Sequence, residues 1–260
     1  MKIQLDQFYG SYDEDNRLCS RHGRVEFMTT MHYIEKYLRP GMHVLEIGAA
    51  TGRYSHTLAR QGYRVDAVEL VQSNIDIFKK NTVPGENITV TQGNATDLSA
   101  FSDDTYDVTL LLGPMYHLFE ESDKLKALSE AIRVTKKGGT VFVAYCGNDS
   151  TILQFCFLRG MLKDERYRNL VDPITFKAAS DPIELFELHR KEEIDALRSH
   201  FVVTQLHYVA ADGFANYMRG PLAEMDEELY EQYLRYHLAT CERADMTGYS
   251  NHLLDIFRKD

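Results

Sequence analysis

The chemistry-bearing residues concentrate in HVLEIGAATG, residues 43–52, where the carboxylate of Glu46 stands just before Gly48 and a second glycine, Gly52, follows. His43 to Ile47 is a short apolar run with β-branched members, the length of a buried strand. Gly48 stops it, Gly52 closes the turn, and RYSHTLARQ continues with helical spacing. A strand that feeds a glycine turn and then a helix presents free backbone N–H groups beside a place where a ligand can come close. In parallel α/β sheets this first turn is where a nucleotide-like cofactor lies. An ordinary strand–helix turn that needs glycine only for its backbone angles would read the same way, so the neighbouring residues must decide.

A dinucleotide site needs GxGxxG, and starting from Gly48 it would need glycine at 50 and 53. The chain has Ala50 and Arg53 there, and it carries an acid, Glu46, that the dinucleotide pattern does not require. That cofactor class fits poorly.

The elements that must hold these residues follow in a regular rhythm. A polar, Tyr-rich opening, FYGSYDEDNRLCSRHG, precedes an amphipathic helix over roughly Val25 to Leu38, with Phe27, Met31, Ile34 and Leu38 on one face. The opening reads either as a lid, with Tyr9, Tyr12, Arg17 and His22 as its contacts, or as a tail packed on the sheet edge. After the first strand and helix come strands over Tyr63 to Leu70, Ile88 to Gln92, Tyr106 to Leu112 and Thr140 to Cys146, with helical segments between them. This alternation implies right-handed crossovers and a parallel sheet covered on both faces. Thr151 to Leu162 reads as an apolar helix, LHRKEEIDALRSH as another, FVVTQLHYVA as a sixth strand and GYSNHLLDIFRK as a last strand. An insertion between those two strands carries a helix from Leu222 to Cys241 with Leu222, Met225, Leu229, Tyr233 and Tyr236 or His237 at helical spacing. That stripe suits a core, and its tyrosines also suit a pocket wall.

Composition narrows the partners. With 260 residues the chain suits one large α/β domain, residues 1–260, with cap elements at 1–24 and 211–247. A net charge of −10 disfavours a broad grip on phosphate backbones and points to a small-molecule partner, with the protein a monomer or homodimer. No apolar run is long enough to span a bilayer, and the polar start lacks an apolar signal core, so a cytoplasmic protein is expected. The four cysteines, Cys19, Cys146, Cys156 and Cys241, form no CxxC pair, which argues against a zinc site and fits a reducing compartment; no metal is expected.

Taken together, Glu46, Gly48, Ala50 and Gly52, the second-strand acid Glu69, the segment GNATDL, the exit LLLGPMYHL and the glycine-flanked strand KKGGTVFVAY resemble the class I S-adenosylmethionine-dependent methyltransferases. The resemblance covers residues 25–146 in motif and 187–260 in element order. It implies a Rossmann-like, seven-stranded, mostly parallel sheet of order 3-2-1-4-5-7-6, the last strand antiparallel, with helices on both faces and a small helical cap. It also implies S-adenosylmethionine as cofactor. Glu46 would hold the ammonium; Gly48, Ala49, Ala50, Gly52 and Arg53 would line the methionine end. Glu69 and Leu70 would meet the ribose hydroxyls, Asn94 and Ala95 the adenine, and Leu112 and Gly113 the sulfonium. Ala50 replaces the motif's central glycine, which alanine tolerates at negative φ.

Transfer from a sulfonium is an in-line displacement governed by positioning, and a hydroxyl acceptor also needs a base. His117 is the expected base with Tyr116 beside it; Tyr9, Tyr12, Arg17, Tyr145 and Tyr233 are expected around the acceptor. GPMY faintly resembles the exit motif of nucleic-acid amino-methyltransferases, but Gly113 lacks the side-chain acceptor for the target amine. The expected function is methylation of a small molecule at N or O. The alternatives are a tRNA or rRNA base methyltransferase and a non-catalytic cofactor-binding module.

Overall fold

The computed structural model describes Leu5, residues 17–180 and residues 186–260. Tyr9 and Tyr12 lie outside the described residues. Helix α1 (Arg21–Tyr37) comes first, then β1 (His43–Ile47), α2 (Arg53–Arg60), β2 (Arg64–Glu69), α3 (Gln72–Asn81), β3 (Ile88–Gln92), β4 (Tyr106–Leu111), α4 (Glu121–Val134) and β5 (Thr135–Gly147). The second half adds α5 (Asn148–Thr151), β6 (Leu188–His189), α7 (Lys191–Ser199) after the short α6 (Glu165–Asn169), β7 (Val203–Ala210), α8 (Arg219–Glu224), α9 (Glu227–Thr240) and β8 (His252–Lys259).

The strands form one sheet in the order β3-β2-β1-β4-β5-β8-β7, with β6 pairing β5 off that path. Strands β1 to β5 are mutually parallel, while β8 runs antiparallel to both β5 and β7. The expected order therefore holds, and the two-residue β6 is the addition.

Strand alternation divides the core between two faces. Val44, Val65, Val108, Leu110, Phe142, Ala144, Cys146, Leu254 and Ile256 pack with α1 and α2 residues such as Ile34 and Leu58. Leu45, Ile47, Leu111, Val141, Val143, Tyr145, Leu253 and Phe257 pack on the other face against Leu128 and Ala131 of α4 and Ile194 of α7.

Three local expectations are corrected. Helix α1 begins at Arg21 instead of Val25, because Ser20 caps it by accepting from the Gly23 N–H at 3.2 Å. The apolar segment after β5 is only briefly α-helical and continues as a π-helix over Ile152–Leu158. The insertion helix is broken in two, since Asp226 caps a new start by accepting from the Leu229 N–H at 2.8 Å. Its buried stripe is consequently Leu222, Tyr230 and His237, while Leu229 and Tyr236 are exposed.

Candidate active site

A cavity of about 830 Å³ opens at the carboxyl ends of β1 and β4, the switch point where strand order reverses. One end is formed by Glu46, Gly48, Ala49, Ala50, Thr51, Arg53, Leu112 and Gly113. Glycine is required at 48: φ is +80°, and a Cβ there would sit 2.5 Å from Pro114 Cδ and 2.9 Å from the Leu112 carbonyl oxygen. Gly52, at φ +90°, faces away from the cavity, and a Cβ would run into the Phe78 ring at 2.5 Å. It packs α2 against the sheet and does not line the cavity.

Glu46 is 2% exposed, accepts from the Ser55 hydroxyl of α2, and forms no ion pair among the described residues. Burial pushes its carboxyl up to about 8, against the pull of the Ser55 hydroxyl. A buried carboxylate that faces a cavity and lacks a cation is the partner an amino-acid ammonium requires.

Glu69 at the end of β2 accepts from the backbone N–H groups of Ala50 and Val71, both at 2.8 Å. Ala50 adopts φ +48°, which corrects the expectation of negative φ. The left-handed conformation survives with a Cβ because the turn is tied down by that hydrogen bond. Glu69, Leu70, Asn94 and Ala95 do not line the cavity; Glu69 is joined to it through the Ala50 N–H, and Asn94 uses its Oδ1 to accept from the Thr96 N–H at 3.1 Å.

The other end of the cavity differs from expectation. Gly113, at φ +115°, starts a 3-10 turn over Pro114–Tyr116 that brings Tyr116 into the cavity wall. His117 lies off the cavity, buried against Phe186 with ring centroids 5.4 Å apart. Tyr145 is also displaced: its neighbours Ala144 and Cys146 line the cavity, and alternation sends Tyr145 to the opposite face against His189. Tyr233 packs with Val25, Ala215, Leu222 and Tyr230 and does not reach the cavity. Arg53 lines the wall with its guanidinium over Phe27 at 4.9 Å.

Arg17 does line the cavity, as one half of a bidentate pair with Glu26 at 2.7 and 3.1 Å. Glu26 leads to the residues that sequence reasoning missed. His252 Nδ1 lies 2.8 Å from Asp212 Oδ2 and 3.2 Å from Glu26 Oε2. Asp212 also accepts from the Ser250 hydroxyl at 2.6 Å and the backbone N–H groups of Asn251 and His252 at 2.9 and 3.0 Å. Burial opposes charge on His252, but Glu26 and Asp212 outweigh it and raise its pKa above the ordinary value. Burial likewise opposes charge on Asp212, and the His252 imidazolium with its hydrogen bonds holds the carboxyl below the usual range. The one local clue was the polar SNH triplet immediately before the apolar strand LLDIF.

A crevice at the switch point of a mostly parallel sheet, with a glycine turn and a cation-seeking acid, defines a Rossmann-like cofactor-binding domain of the class I type. Residues 44–139 match the family model described as "Methyltransferase domain". Over that segment, rather more than a third of its length, the chain is similar to methyltransferases, and the solved structures that share its fold include S-adenosylmethionine-dependent ones.

Among curated relatives it is similar to a demethylmenaquinone methyltransferase of Clavibacter sepedonicus, 25% identical over 144 residues, 55% of this chain and 56% of that protein. A ubiquinone biosynthesis O-methyltransferase of Methylocella silvestris is 27% identical over 143 residues, 54% of this chain and 52% of that protein. The chain thus spans about half the length of these relatives. The fold matches a solved S-adenosylmethionine-dependent methyltransferase of Thermotoga maritima, described as a possible histamine N-methyltransferase, with TM-score 0.57, 20% identity and 100% of each chain covered. Among the described residues no helix is long and apolar enough to cross a membrane.

Proposed function

We propose that this protein transfers the methyl group of S-adenosylmethionine to a small-molecule acceptor held in the same cavity. The observation that carries the reading is continuity: one cavity runs from Glu46 and Gly48 to the polar group of Glu26, Asp212 and His252. A cavity of about 830 Å³ is of ligand size, and clefts of this kind enclose most of a small molecule's surface. The net charge of −10 adds to the case against a nucleic-acid partner. The names of the two relatives, which speak of demethylmenaquinone and of ubiquinone biosynthesis, also support a small acceptor.

The cofactor would supply an electrophilic methyl on a cationic sulfur. Glu46 holds the ammonium in exchange for its proton, and Glu69 offers its carboxylate to the ribose diol beside the turn. Leu112 and Gly113, which line the cavity, would bring backbone to the sulfonium, and Asn94 and Ala95, which do not line it, would meet the adenine only if the cofactor extends past Glu69. Tyr116 sets one wall between cofactor and acceptor. Arg17, Ser20 and His22 from the 1–24 segment and Asp212, Asn216 and Arg219 from the 211–247 segment act as the cap over the acceptor end. Enclosure of this kind aligns acceptor and methyl and excludes water.

Calorimetric titration with S-adenosylmethionine tests the cofactor half, and formation of S-adenosylhomocysteine on a panel of metabolites tests transfer. Micromolar binding of the cofactor with turnover on a small acceptor is expected. No binding, or turnover on tRNA alone, would refute the reading.

A further inference from the structure

The carboxylates around His252 decide which of its nitrogens carries a proton. Nδ1 faces Asp212 Oδ2 at 2.8 Å and Glu26 Oε2 at 3.2 Å. Ionised carboxylates only accept, so a neutral imidazole there must hold its hydrogen on Nδ1 and present a lone pair at Nε2. His252 lines the cavity, and Nε2 has no hydrogen-bond partner among the described residues.

The same contacts engage every oxygen of the two anions. Glu26 gives Oε1 to Arg17 at 3.1 Å and Oε2 to Arg17 at 2.7 Å and to His252. Both Asp212 oxygens accept too, from Ser250, Asn251, Asn216 and His252. An ammonium acceptor would find each carboxylate oxygen already engaged, whereas a hydroxyl would find the Nε2 lone pair. Tyr116, its ring centroid 5.9 Å from that of His252, shares the lining of the same cavity with Tyr54, Ile152, Phe155, Phe186 and Leu254, apolar and aromatic walls that suit a flat ring.

We propose that His252 is the proton acceptor of the reaction and that the methyl acceptor is a ring hydroxyl of the phenol class. This rests on the methyltransferase reading above. The hydroxyl oxygen forms its new bond to the methyl carbon as the carbon–sulfur bond breaks, its electron pair staying on sulfur. The hydroxyl proton passes to His252 Nε2, giving an aryl methyl ether, S-adenosylhomocysteine and an imidazolium that later releases its proton to water. Asp212 and Glu26 are positioning residues that fix the tautomer and stabilise the imidazolium.

Other titratable groups facing this region are unsuited to the task. The Cys146 thiol and the Tyr54 and Tyr116 hydroxyls are driven up chiefly by burial. His22, whose Nδ1 is 3.1 Å from the Ser20 hydroxyl, has a partner that can donate or accept and so leaves its tautomer open. Arg17 and Arg219 present guanidinium groups, which only donate.

The test uses the full chain with S-adenosylmethionine, catechol and 3,4-dihydroxybenzoate as hydroxyl probes, and histamine and dimethylglycine as amine probes. Product formation on the phenols is expected, and His252→Gln is expected to lower it by about 100-fold or more. On 2,4-dinitrophenol, already ionised at the assay pH, the same variant should lose far less, a difference that a merely structural role would not produce. Independently of turnover, ¹⁵N NMR of the cofactor-free protein should find the neutral His252 ring protonated at Nδ1, and Asp212→Asn should lower its titration midpoint. Equal losses on both kinds of phenol, turnover on amines only, or a neutral ring protonated at Nε2 would each overturn the proposal. Cofactor binding with no turnover on any probe overturns the acceptor class. Failure to bind the cofactor overturns the methyltransferase reading instead.

Discussion

The Ala50 backbone N–H donates to Glu69 Oε2 at 2.8 Å, so the carboxylate that secures the glycine turn is the one that, on the proposed reading, would meet the cofactor ribose. The other oxygen accepts from the Val71 N–H, also at 2.8 Å. Glu69→Ala should therefore weaken cofactor binding and also cost about 1–3 kcal/mol of stability, because two backbone donors lose their acceptor. Glu69→Gln keeps one carbonyl acceptor and should lose less stability for a comparable loss of cofactor affinity. Urea unfolding beside calorimetry separates the two effects; equal stability losses would show that the turn does not depend on this carboxylate.

Ala50 occupies φ +48°, a region where a Cβ costs about 1–2 kcal/mol. Glycine removes that cost but adds about 0.5–1 kcal/mol of unfolded-state entropy. Ala50→Gly should thus leave stability unchanged or raise it by up to about 1.5 kcal/mol, whereas Ala50→Val should lower it. Thermal unfolding of the two variants checks the pair of signs.

Burial raises the Glu46 carboxyl to about 8, so near neutral pH the cofactor-free protein holds a proton there. On the proposed reading the cofactor ammonium binds the ionised form, so cofactor binding below about pH 8 would release that proton. Affinity should rise with pH up to about 8, by at most about tenfold per unit, and then lose its dependence on this group. Calorimetry in two buffers of different ionisation enthalpy reads the released proton directly. Ser55→Ala should move the dependence to higher pH.

His189 is 3% exposed, and both of its ring nitrogens are buried without a hydrogen-bond partner among the described residues. Burial, with Lys124 and Lys177 nearby, lowers its pKa from 6.5 to about 3. The unfolded chain takes up a proton near 6.5 while the folded chain does not. This residue should therefore remove stability as pH falls from 6.5 toward 3, with a slope of at most about 1.4 kcal/mol per unit. His189→Phe should flatten that part of the stability profile; an unchanged slope would place the acid sensitivity elsewhere.

What the sequence disclosed depended on distance along the chain. The turn from Glu46 to Gly52 and the placement of Glu69 are local consequences of strand, glycine and helix order, and they were legible. Tyr116 against His117 turned on the φ of Gly113, and Tyr145 against Cys146 on the parity of one strand; a residue pattern leaves such choices open by one position. Glu26, Asp212 and His252 meet only because α1, the segment after β7 and the start of β8 converge. No spacing within any one of those stretches announces the other two. An antiparallel β8 brings its first residue, not its last, to the edge where the parallel strands end.

That reversal bears on the order of synthesis. Strand β8 pairs with β5 on one side and β7 on the other, so β7 leaves the ribosome before the strand that joins it to the sheet. Until β8 arrives, the nascent chain carries an open β5 edge and a strand without a neighbour, both prone to pairing with other chains. Insertion of β8 ends that exposure and delivers His252 in the same event. A stalled chain that ends before β8 is therefore expected to be aggregation-prone and, on the proposed mechanism, without its base.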